Sequence, residues 1–305
     1  MEELWLKMDD GKKLFYRVWR ADNTKATLHI NHGMAEHSLR YDFLARKLNE
    51  IGITVFCQDH RGHGKTKESR EEVGWFAEKN GWQRICSDSW ALDQQIMSEY
   101  KDVPHFIFGH SMGSFLTRTN LALHSEAYRA AIIMGSGKSK GIVSKIGRKI
   151  AIHRAKKYGS QHKDEYLNNL AFGYYLKKFD FRTEGPFCWL SSLDEERRKY
   201  EEDEDCGFIC SSQFYADLIE GLETANNKEL ISKIRKDIPI LFLSGDMDPV
   251  GNYGKGVIKA SSLYKDAGIK DVRVKLYKEG RHEILNDKMR SEVVSDIISF
   301  LEEFY

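Results

Sequence analysis

The chain has 305 residues and a formal net charge of +1; 41% of its residues are hydrophobic and 30% are charged. This length suits one large α/β domain with an insertion, or two small domains, and the composition is ordinary for a globular protein. A net charge so close to zero creates no overall field toward nucleic acid or membranes. We therefore expect no nucleic-acid partner, and any such signal must be local.

The N-terminal sequence and the cysteines bear on where the protein works. The first residues lack a basic stretch followed by an apolar run, and no stretch reaches the roughly 18 apolar residues of a membrane-spanning helix. Among the five cysteines, Cys206 and Cys210 are four apart, but no second Cys/His pair follows nearby to complete a zinc site. We expect a reduced, cytoplasmic protein without a bound metal.

Short apolar runs recur along the chain and predict eight strands. Residues 4–8 and 14–19 flank Asp10-Gly11, which is a hairpin turn signal. Six later runs are separated by connections long enough for crossover helices; they are residues 26–30, 53–57, 105–108, 130–134, 238–244 and 272–277. This order predicts an α/β fold with a mostly parallel sheet and an antiparallel hairpin at one edge.

Helical patterns fill the connections and dominate one long stretch. The predicted crossover and closing helices are residues 40–50, 84–99, 112–123, 253–266 and 288–304. Residues 137–227 contain no convincing core strand, and five aromatic residues fall within 172–181. We predict that residues 137–227 form an inserted helical lid, and that residues 1–136 and 228–305 form the core.

The pentapeptide at residues 109–113, GHSMG, predicts a nucleophile. It follows an apolar run and opens a helical pattern, which is the strand–turn–helix setting that a G-x-S-x-G elbow requires. Gly109 and Gly113 leave room for the strained turn that raises Ser111 above the sheet edge, at the N-terminus of a helix. Chance occurrence of the motif is the alternative. Alternation along the strand points His110 away from Ser111, so we expect it to be a packed neighbour.

A serine hydroxyl needs an imidazole base, and the base needs a carboxylate. In enzymes with this elbow the acid and then the histidine follow the serine along the chain. Of the 11 histidines, only His282 lies beyond the last predicted strand. Asp246 and Asp248 both follow the run that ends at residue 244. We favour Asp248, because it falls later in the turn, and expect Asp246 to bond local N–H groups of that turn.

The oxyanion of an acyl-transfer intermediate needs two N–H donors. Met112, the residue after the serine, supplies the first. The loop after the third run contains Gly33, which permits a bend, and the Met34 amide is our choice for the second donor. We expect His32 and Glu36 to brace this loop by hydrogen bonds.

The segment DHRGHG at residues 59–64 places His60 and His63 at H-x-x-H spacing, which invites a metal-site interpretation. No further His/carboxylate set matches a binuclear hydrolase, so we expect a braced loop at the rim of the site instead.

Together these motifs resemble the monoacylglycerol lipase/lysophospholipase branch of the α/β-hydrolases. The segments that carry the resemblance are HGMAEHSLRY (32–41), DHRGHG (59–64), GHSMG (109–113), GDMD (245–248) and GRH (280–282). The resemblance implies an α/β-hydrolase fold of eight strands with a lid after the sixth. It also implies the triad Ser111, Asp248 and His282, with the Met34 and Met112 amides as the oxyanion hole.

The function implied is hydrolysis of a single-chain carboxylic ester, such as a monoacylglycerol or lysophospholipid, through an acyl-enzyme and without a cofactor. The same triad also serves aminopeptidases and acyltransferases. A non-catalytic binding protein on this fold is the third alternative.

One stretch of the predicted lid is strongly basic. Residues 137–163 contain nine Lys or Arg and no Asp or Glu, and Ile142, Ile146 and Ile150 recur every four residues on one helix face. Such a helix can lie on an anionic lipid surface, which would be a transient membrane contact. Alternatively, the isoleucines pack on the core, and the charges are solvated or offset by the acidic run at residues 201–205.

Overall fold

The computed structural model describes residues 1–139, 141–173 and 175–305, so Lys140 of the basic stretch and Tyr174 of the aromatic cluster lie outside the described residues. The strands are β1 (Glu2–Lys7), β2 (Lys13–Trp19), β3 (Ala26–Asn31), β4 (Ile53–Gln58), β5 (His105–His110), β6 (Ala130–Met134), β7 (Ile240–Gly245) and β8 (Val272–Tyr277). They form a single sheet in the order β1-β2-β4-β3-β5-β6-β7-β8.

The strands joined by crossover connections are parallel, and the strands joined by the hairpin are antiparallel. The hairpin partners β1 and β2 are antiparallel, as are β2 and β4, whereas every pair from β4 onward is parallel. Strands β3 to β7 are buried at every position, which explains their continuous apolar runs. The prediction of a mostly parallel eight-stranded sheet with an antiparallel hairpin at one edge is confirmed.

Eleven α-helices are described: α1 (Asp42–Asn49), α2 (Gly81–Glu99), α3 (Met112–His124), α4 (Ile142–Tyr158), α5 (Glu165–Phe172), α6 (Phe181–Glu184), α7 (Asp194–Glu202), α8 (Ser212–Ala225), α9 (Lys228–Ser232), α10 (Lys255–Asp266) and α11 (Arg290–Glu302). Helices α1 and α11 bury their apolar residues with one face of the sheet. Helices α3 and α10 do so on the other face. No described helix combines the length and the apolar character needed to cross a membrane.

Three of the element boundaries that differ from the predicted ones have a local or tertiary reason. Strand β7 begins after Pro239, which has no N–H to donate. Helix α10 begins two residues late because Tyr253 has a positive φ of 56°, which no α-helix accepts. Helix α2 begins at Gly81, three residues early, where the carboxyl group of Asp217 from α8 lies beside its first turn.

The connection between β6 and β7, residues 135–239, is named here the β6–β7 segment. Its described part contains α4 to α9 and no strand, only a single bridge between Lys163 and Ser211. Helix α4 packs mainly on α8, and buries Ala151 and Ala155. The helical character expected for this stretch is therefore present.

The isoleucines on the apolar face of α4 are not all buried, as the core-packing alternative requires. Ile142 is 76% exposed and Ile146 is 53% exposed, whereas only Ile150 packs against the core. The alternative that all three isoleucines pack on the core is wrong, because no other described element covers Ile142 and Ile146.

The charge of α4 is not offset by the acidic run either. Among the described residues, no member of the run at 201–205 pairs with α4; Asp203 pairs with His37, and Asp205 pairs with Lys67.

Candidate active site

Ser111 lies at the sharp turn between β5 and α3. Its φ of 51° and ψ of −119° place it outside the common regions for a residue with a side chain, and its N–H donates to the Met134 carbonyl at 3.0 Å. A Cβ atom at Gly109 would overlap the carbonyl of Gly113, and a Cβ atom at Gly113 would overlap the carbonyl of Asn31. Both glycines are therefore required by close backbone approach, as expected from the motif.

The loop after β3 lies directly against this turn. A Cβ atom at Gly33 would lie 3.3 Å from the Cβ of Ser111. The Gly33 N–H donates to Oε1 of Glu36 at 2.5 Å, and the Ala35 N–H donates to Nε2 of His63 at 3.2 Å. The amide between them, that of Met34, donates to no acceptor in the described part of the chain.

Met112 supplies a second unpaired amide at the same place. As the first residue of α3, it has no acceptor one helical turn earlier, and within the described ranges its N–H donates to no other group. The two methionine amides therefore flank the serine turn as free donors. This arrangement suits an oxyanion hole.

His282 and Asp248 meet after the last two strands of the sheet. The Nδ1 of His282 lies 3.0 Å from Oδ1 of Asp248, and the two side chains are almost completely buried. The carboxylate also accepts the N–H of Val250 at 2.8 Å and the hydroxyl of Ser244 at 3.2 Å. Because a carboxylate accepts, the proton of the imidazole resides on Nδ1, which leaves Nε2 as a base.

Asp246 has a different role. Its Oδ1 accepts the N–H of Glu279 at 2.7 Å, in the neighbouring loop after β8. The expectation that Asp246 bonds N–H groups of its own turn is wrong, because the two loops lie side by side at the end of the sheet. The structure brings Asp248, and not Asp246, to His282.

A network of buried, hydrogen-bonded ionisable side chains lies next to His282. The ring of His110 lies 4.8 Å from that of His282, and its Nδ1 lies 3.1 Å from Oε1 of Glu36. Arg40 makes hydrogen bonds to Glu36 at 2.9 Å and to both oxygens of Glu283, at 2.7 and 2.6 Å. His110 is thus a packed neighbour, as expected. Sequence reasoning missed Arg40 and Glu283, which are 243 residues apart and carry no local signal.

The charges of this network determine the protonation of its members. Burial by itself raises the pKa of Glu36, but the hydrogen bond with His110 and the charge of Arg40 hold it well below its usual value. Burial lowers the pKa of His110, and the Glu36 carboxylate more than compensates, so the net shift is upward. The carboxylate that orients Gly33 therefore stays ionised.

The rings of His32, His60 and His63 contact one another in tilted or edge-to-face arrangements, and their nitrogens make hydrogen bonds with backbone groups. His32 Nε2 accepts the His60 N–H at 3.0 Å, and His63 Nδ1 donates to the Arg61 carbonyl at 2.9 Å. Burial lowers the pKa of His32 to about 3 and that of His63 to about 4, so both rings are neutral. None of the three belongs to a group of described side chains that could hold a metal.

The β6–β7 segment contributes an aromatic wall next to His282. The ring of Trp189 lies 5.1 Å from that of His282. Phe172 stacks on Trp189 at 5.7 Å, and the ring of Tyr175 contacts it at 5.2 Å in a tilted arrangement. The N–H of His282 donates to the Trp189 carbonyl at 3.2 Å. Trp189 was missed by sequence reasoning, because its neighbours in the chain form no recognisable motif.

A protein-family model described as Serine aminopeptidase, S33 (Hydrolase_4) matches residues 22–289. The chain belongs to the Hydrolase_4 family. It is an α/β-hydrolase of the serine hydrolase type, and the resemblance to monoacylglycerol lipases found in its motifs is confirmed by relatives of that kind.

Three comparisons show how far the likeness extends. The Hydrolase_4 chain is 38% identical to monoglyceride lipase of Mus musculus over 109 residues, which are 35% of this chain and 34% of the relative. It is 28% identical to the solved carboxyl esterase of Bacillus coagulans, with a TM-score of 0.91, and 99% and 98% of the two chains are covered. Monoglyceride lipase of Saccharomyces cerevisiae shares the fold, with a TM-score of 0.78 at 20% identity over 99% and 95% of the chains.

The alignment with the curated mouse relative covers about a third of that relative's length.

Proposed function

We propose that this Hydrolase_4 protein is a serine-dependent carboxylic ester hydrolase that acts on esters of a single acyl chain, of the monoacylglycerol or lysophospholipid type. Ser111 is the nucleophile, His282 the general base and Asp248 the acid that orients it. The observation that carries the proposal is the buried 3.0 Å contact between Asp248 and His282, beside a strained serine turn with two free amides.

The proposed reaction gives each of these groups one role. The Nε2 of His282 takes the hydroxyl proton of Ser111 as its oxygen attacks the ester carbonyl, and the Met34 and Met112 amides stabilise the oxyanion. The protonated imidazole then gives its proton to the departing alcohol, which leaves an acyl-enzyme. Water activated by His282 attacks the acyl-enzyme and releases the carboxylic acid.

The surroundings of His282 favour an ester with an apolar chain over a peptide with a free amino terminus. We propose that residues 137–227 act as a lid, in which Trp189, Phe172 and Tyr175 offer apolar contact to an acyl chain. An aminopeptidase needs a carboxylate for the α-ammonium group of its substrate. Asp248 is occupied by His282, and the two other buried carboxylates of the network around His282, those of Glu36 and Glu283, are both engaged by Arg40.

We also propose that α4 makes transient contact with an anionic lipid surface. Ile142, Val143 and Ile146 are exposed at its N-terminal half, and within the described part of the chain Lys145 and Lys149 form no ion pair. Exposed apolar side chains beside lysines favour the interface of an anionic bilayer. Arg148 contributes less, because it pairs with Glu220.

A substrate panel tests the function. Wild-type protein and Ser111→Ala are assayed on p-nitrophenyl esters, aminoacyl anilides, monoacylglycerols and lysophospholipids. We expect wild-type turnover of the single-chain lipid esters and no turnover of the anilides. Ser111→Ala should lower kcat by about 10⁴-fold or more. Preferred cleavage of the anilides would indicate an aminopeptidase instead of an esterase. Full activity of Ser111→Ala would show that Ser111 is not the nucleophile.

A further inference from the structure

A second group of reactive side chains lies outside the proposed triad. It comprises His37, at the end of the loop that carries Met34, and Asp203 and Cys206 from the β6–β7 segment. One ligand atom from each residue lies within 4.8 Å of the other two, and Nε2 of His37 lies 2.9 Å from Oδ2 of Asp203. Among the described residues this is the one group of three His, Cys or carboxylate side chains close enough to share an ion.

The backbone holds two of these side chains at a fixed spacing. The N–H of Cys206 donates to the Asp203 carbonyl at 2.9 Å, and the N–H of Asp205 donates to Oδ1 of Asp203 at 2.9 Å. Asp203 and Cys206 therefore start and end one turn, three positions apart. Two ligands separated by two residues in a turn is the spacing that structural zinc sites use. Oδ2 of Asp203 is left for His37.

We propose that His37, Asp203 and Cys206 bind a divalent transition-metal ion, and that this ion is zinc. An imidazole, a carboxylate and a thiolate form a ligand set that zinc accepts, whereas calcium and magnesium prefer oxygen ligands alone. Water completes the fourth position. The thiol of Cys206 gives its proton to solvent as the metal–sulfur bond forms, so that Zn²⁺ and the two anionic ligands are together neutral.

The geometry needs only side-chain adjustment. Around a tetrahedral zinc with bonds of about 2.0–2.3 Å, ligand atoms lie about 3.3–3.6 Å apart. The His37–Asp203 hydrogen bond would open slightly, and the most distant atoms would move about 1 Å closer, which is within the reach of side-chain rotation. His37 and Cys206 are buried, and Asp203 is partly open to solvent, which leaves a route for the ion.

The positive charge of Arg40 lies nearby, and it is already paired with carboxylates. Arg40 faces both Asp203 and Cys206, but its guanidinium group pairs with Glu36 at 2.9 Å and with Glu283 at 2.6 Å. These two carboxylates offset the charge of Arg40, which reduces its repulsion of a cation at the three ligands.

The site joins two parts of the protein that already touch. The hydroxyl of Tyr200 and the N–H of Gly207 both donate to the Ala35 carbonyl, at 2.8 and 3.0 Å. A metal at His37 would add a covalent-like link between the loop that carries Met34 and the β6–β7 segment. Metal binding should therefore raise the thermal midpoint of unfolding. This inference does not depend on the proposed ester hydrolysis.

Cobalt(II) is the probe for the test, because a thiolate ligand gives it a charge-transfer absorption band that oxygen and nitrogen ligands do not. The full-length protein is treated with a chelator, dialysed and titrated with CoCl₂, and zinc is then added as a competitor. We expect one cobalt per chain, with a thiolate band that zinc abolishes. Asp203→Asn, whose side chain is partly exposed, should weaken binding by about tenfold or more, since even loss of an outer-shell partner costs that much.

Cys86→Ser is the matched control for Cys206→Ser, because the two cysteines are similarly buried, at 7% and 8% exposure. We expect the thiolate band to vanish in Cys206→Ser and to persist in Cys86→Ser. Should Cys206→Ser fail to fold, Asp203→Asn and the zinc-dependent thermal midpoint decide the question. The proposal is overturned if wild-type protein gives no thiolate band, if the band survives in Cys206→Ser, or if Asp203→Asn binds as tightly as wild type.

Discussion

Nδ1 of His282 and Oδ1 of Asp248 lie 3.0 Å apart, and the carboxylate that makes this contact has no exposure to solvent. The two residues come from loops after β7 and β8, which are neighbours in the sheet. Val250 and Ser244 supply further hydrogen bonds that keep the carboxylate turned toward the imidazole. The second aspartate of the same loop, Asp246, bonds the Glu279 N–H instead.

This difference predicts unequal effects of two matched substitutions. Asp248→Asn should lower kcat by about 10⁴-fold, because an amide can hold the wrong tautomer of His282. Asp246→Asn retains an oxygen for the Glu279 N–H, so its cost should be about 1 kcal/mol, or less than about tenfold in rate. Steady-state kinetics on one soluble ester check both variants. A larger loss in Asp246→Asn would show that the acid has been assigned to the wrong residue.

Because the serine turn is tightly packed, we expect that a methyl group added at Gly113 destabilises it. In Gly113→Ala the new Cβ would overlap the backbone carbonyl of Asn31, which cannot rotate away as a side chain can. We expect a loss of about 1–3 kcal/mol in unfolding free energy and a larger fractional loss of kcat, because Ser111 and the Met112 amide move together. Urea unfolding and kinetics measure the two effects.

Gly147→Ala is a control for this change. Gly147 lies in α4, and a Cβ there would make an ordinary contact at 3.5 Å with Ile219. This variant should be as stable as wild type or slightly more stable, because alanine favours a helix. Equal tolerance at both positions would contradict the packing argument for the elbow.

The exposed end of α4 predicts salt-sensitive binding to vesicles of anionic phospholipid. Changing Lys145 and Lys149 to Gln should weaken binding by about 2 kcal/mol, at about 1 kcal/mol for each lysine. Changing Ile142 and Ile146 to Gln should weaken binding at all salt concentrations. Both double variants should hydrolyse a short soluble ester normally. Co-sedimentation over a range of salt concentrations gives the comparison.

Ile258→Gln is the control for the loss of an exposed isoleucine side chain, because Ile258 is 49% exposed on α10 of the core. It should bind vesicles as wild type does. If no variant of α4 changes binding, or wild type does not bind at low salt, α4 is an ordinary surface helix.

A buried carboxyl group predicts how stability changes with pH. Burial is the main cause that raises the pKa of Asp217 from 3.8 to about 7. Gln213 donates to it at 2.9 Å, the amide of Gly81 lies beside it, and Glu220 and Arg148 act on it through their charges. Between pH 3.8 and about 7 the folded state holds this proton more tightly than the unfolded state does. Its contribution to stability therefore falls as the pH rises.

Asp217→Asn should abolish this decrease in stability with rising pH. The difference in unfolding free energy between the variant and wild type should increase from pH 4 to pH 7, by up to about 4 kcal/mol, and then stay constant. Asp22→Asn, at an exposed position, should follow wild type at every pH. A constant difference between Asp217→Asn and wild type across this range would show that Asp217 titrates normally.

Local patterns in the sequence determined the strands, the hairpin and the serine turn. Each depends on neighbours within a few residues: continuous apolar runs for buried parallel strands, Asp10-Gly11 for the turn, and glycines two positions either side of Ser111. The order of serine, acid and histidine along the chain also predicted His282 as the base. For these features the local chemistry permits few alternatives.

Only the tertiary structure decided which groups meet across the chain. The order of the strands and the folding of the β6–β7 segment over the strand ends bring together three pairs of residues. They are Arg40 with Glu283, Trp189 with His282, and His37 with Cys206. The apolar stripe of α4 shows the same limit, because a period of four residues states which side chains share a face and not whether another element covers it. Burial depends on what packs there, and that is a property of the whole fold.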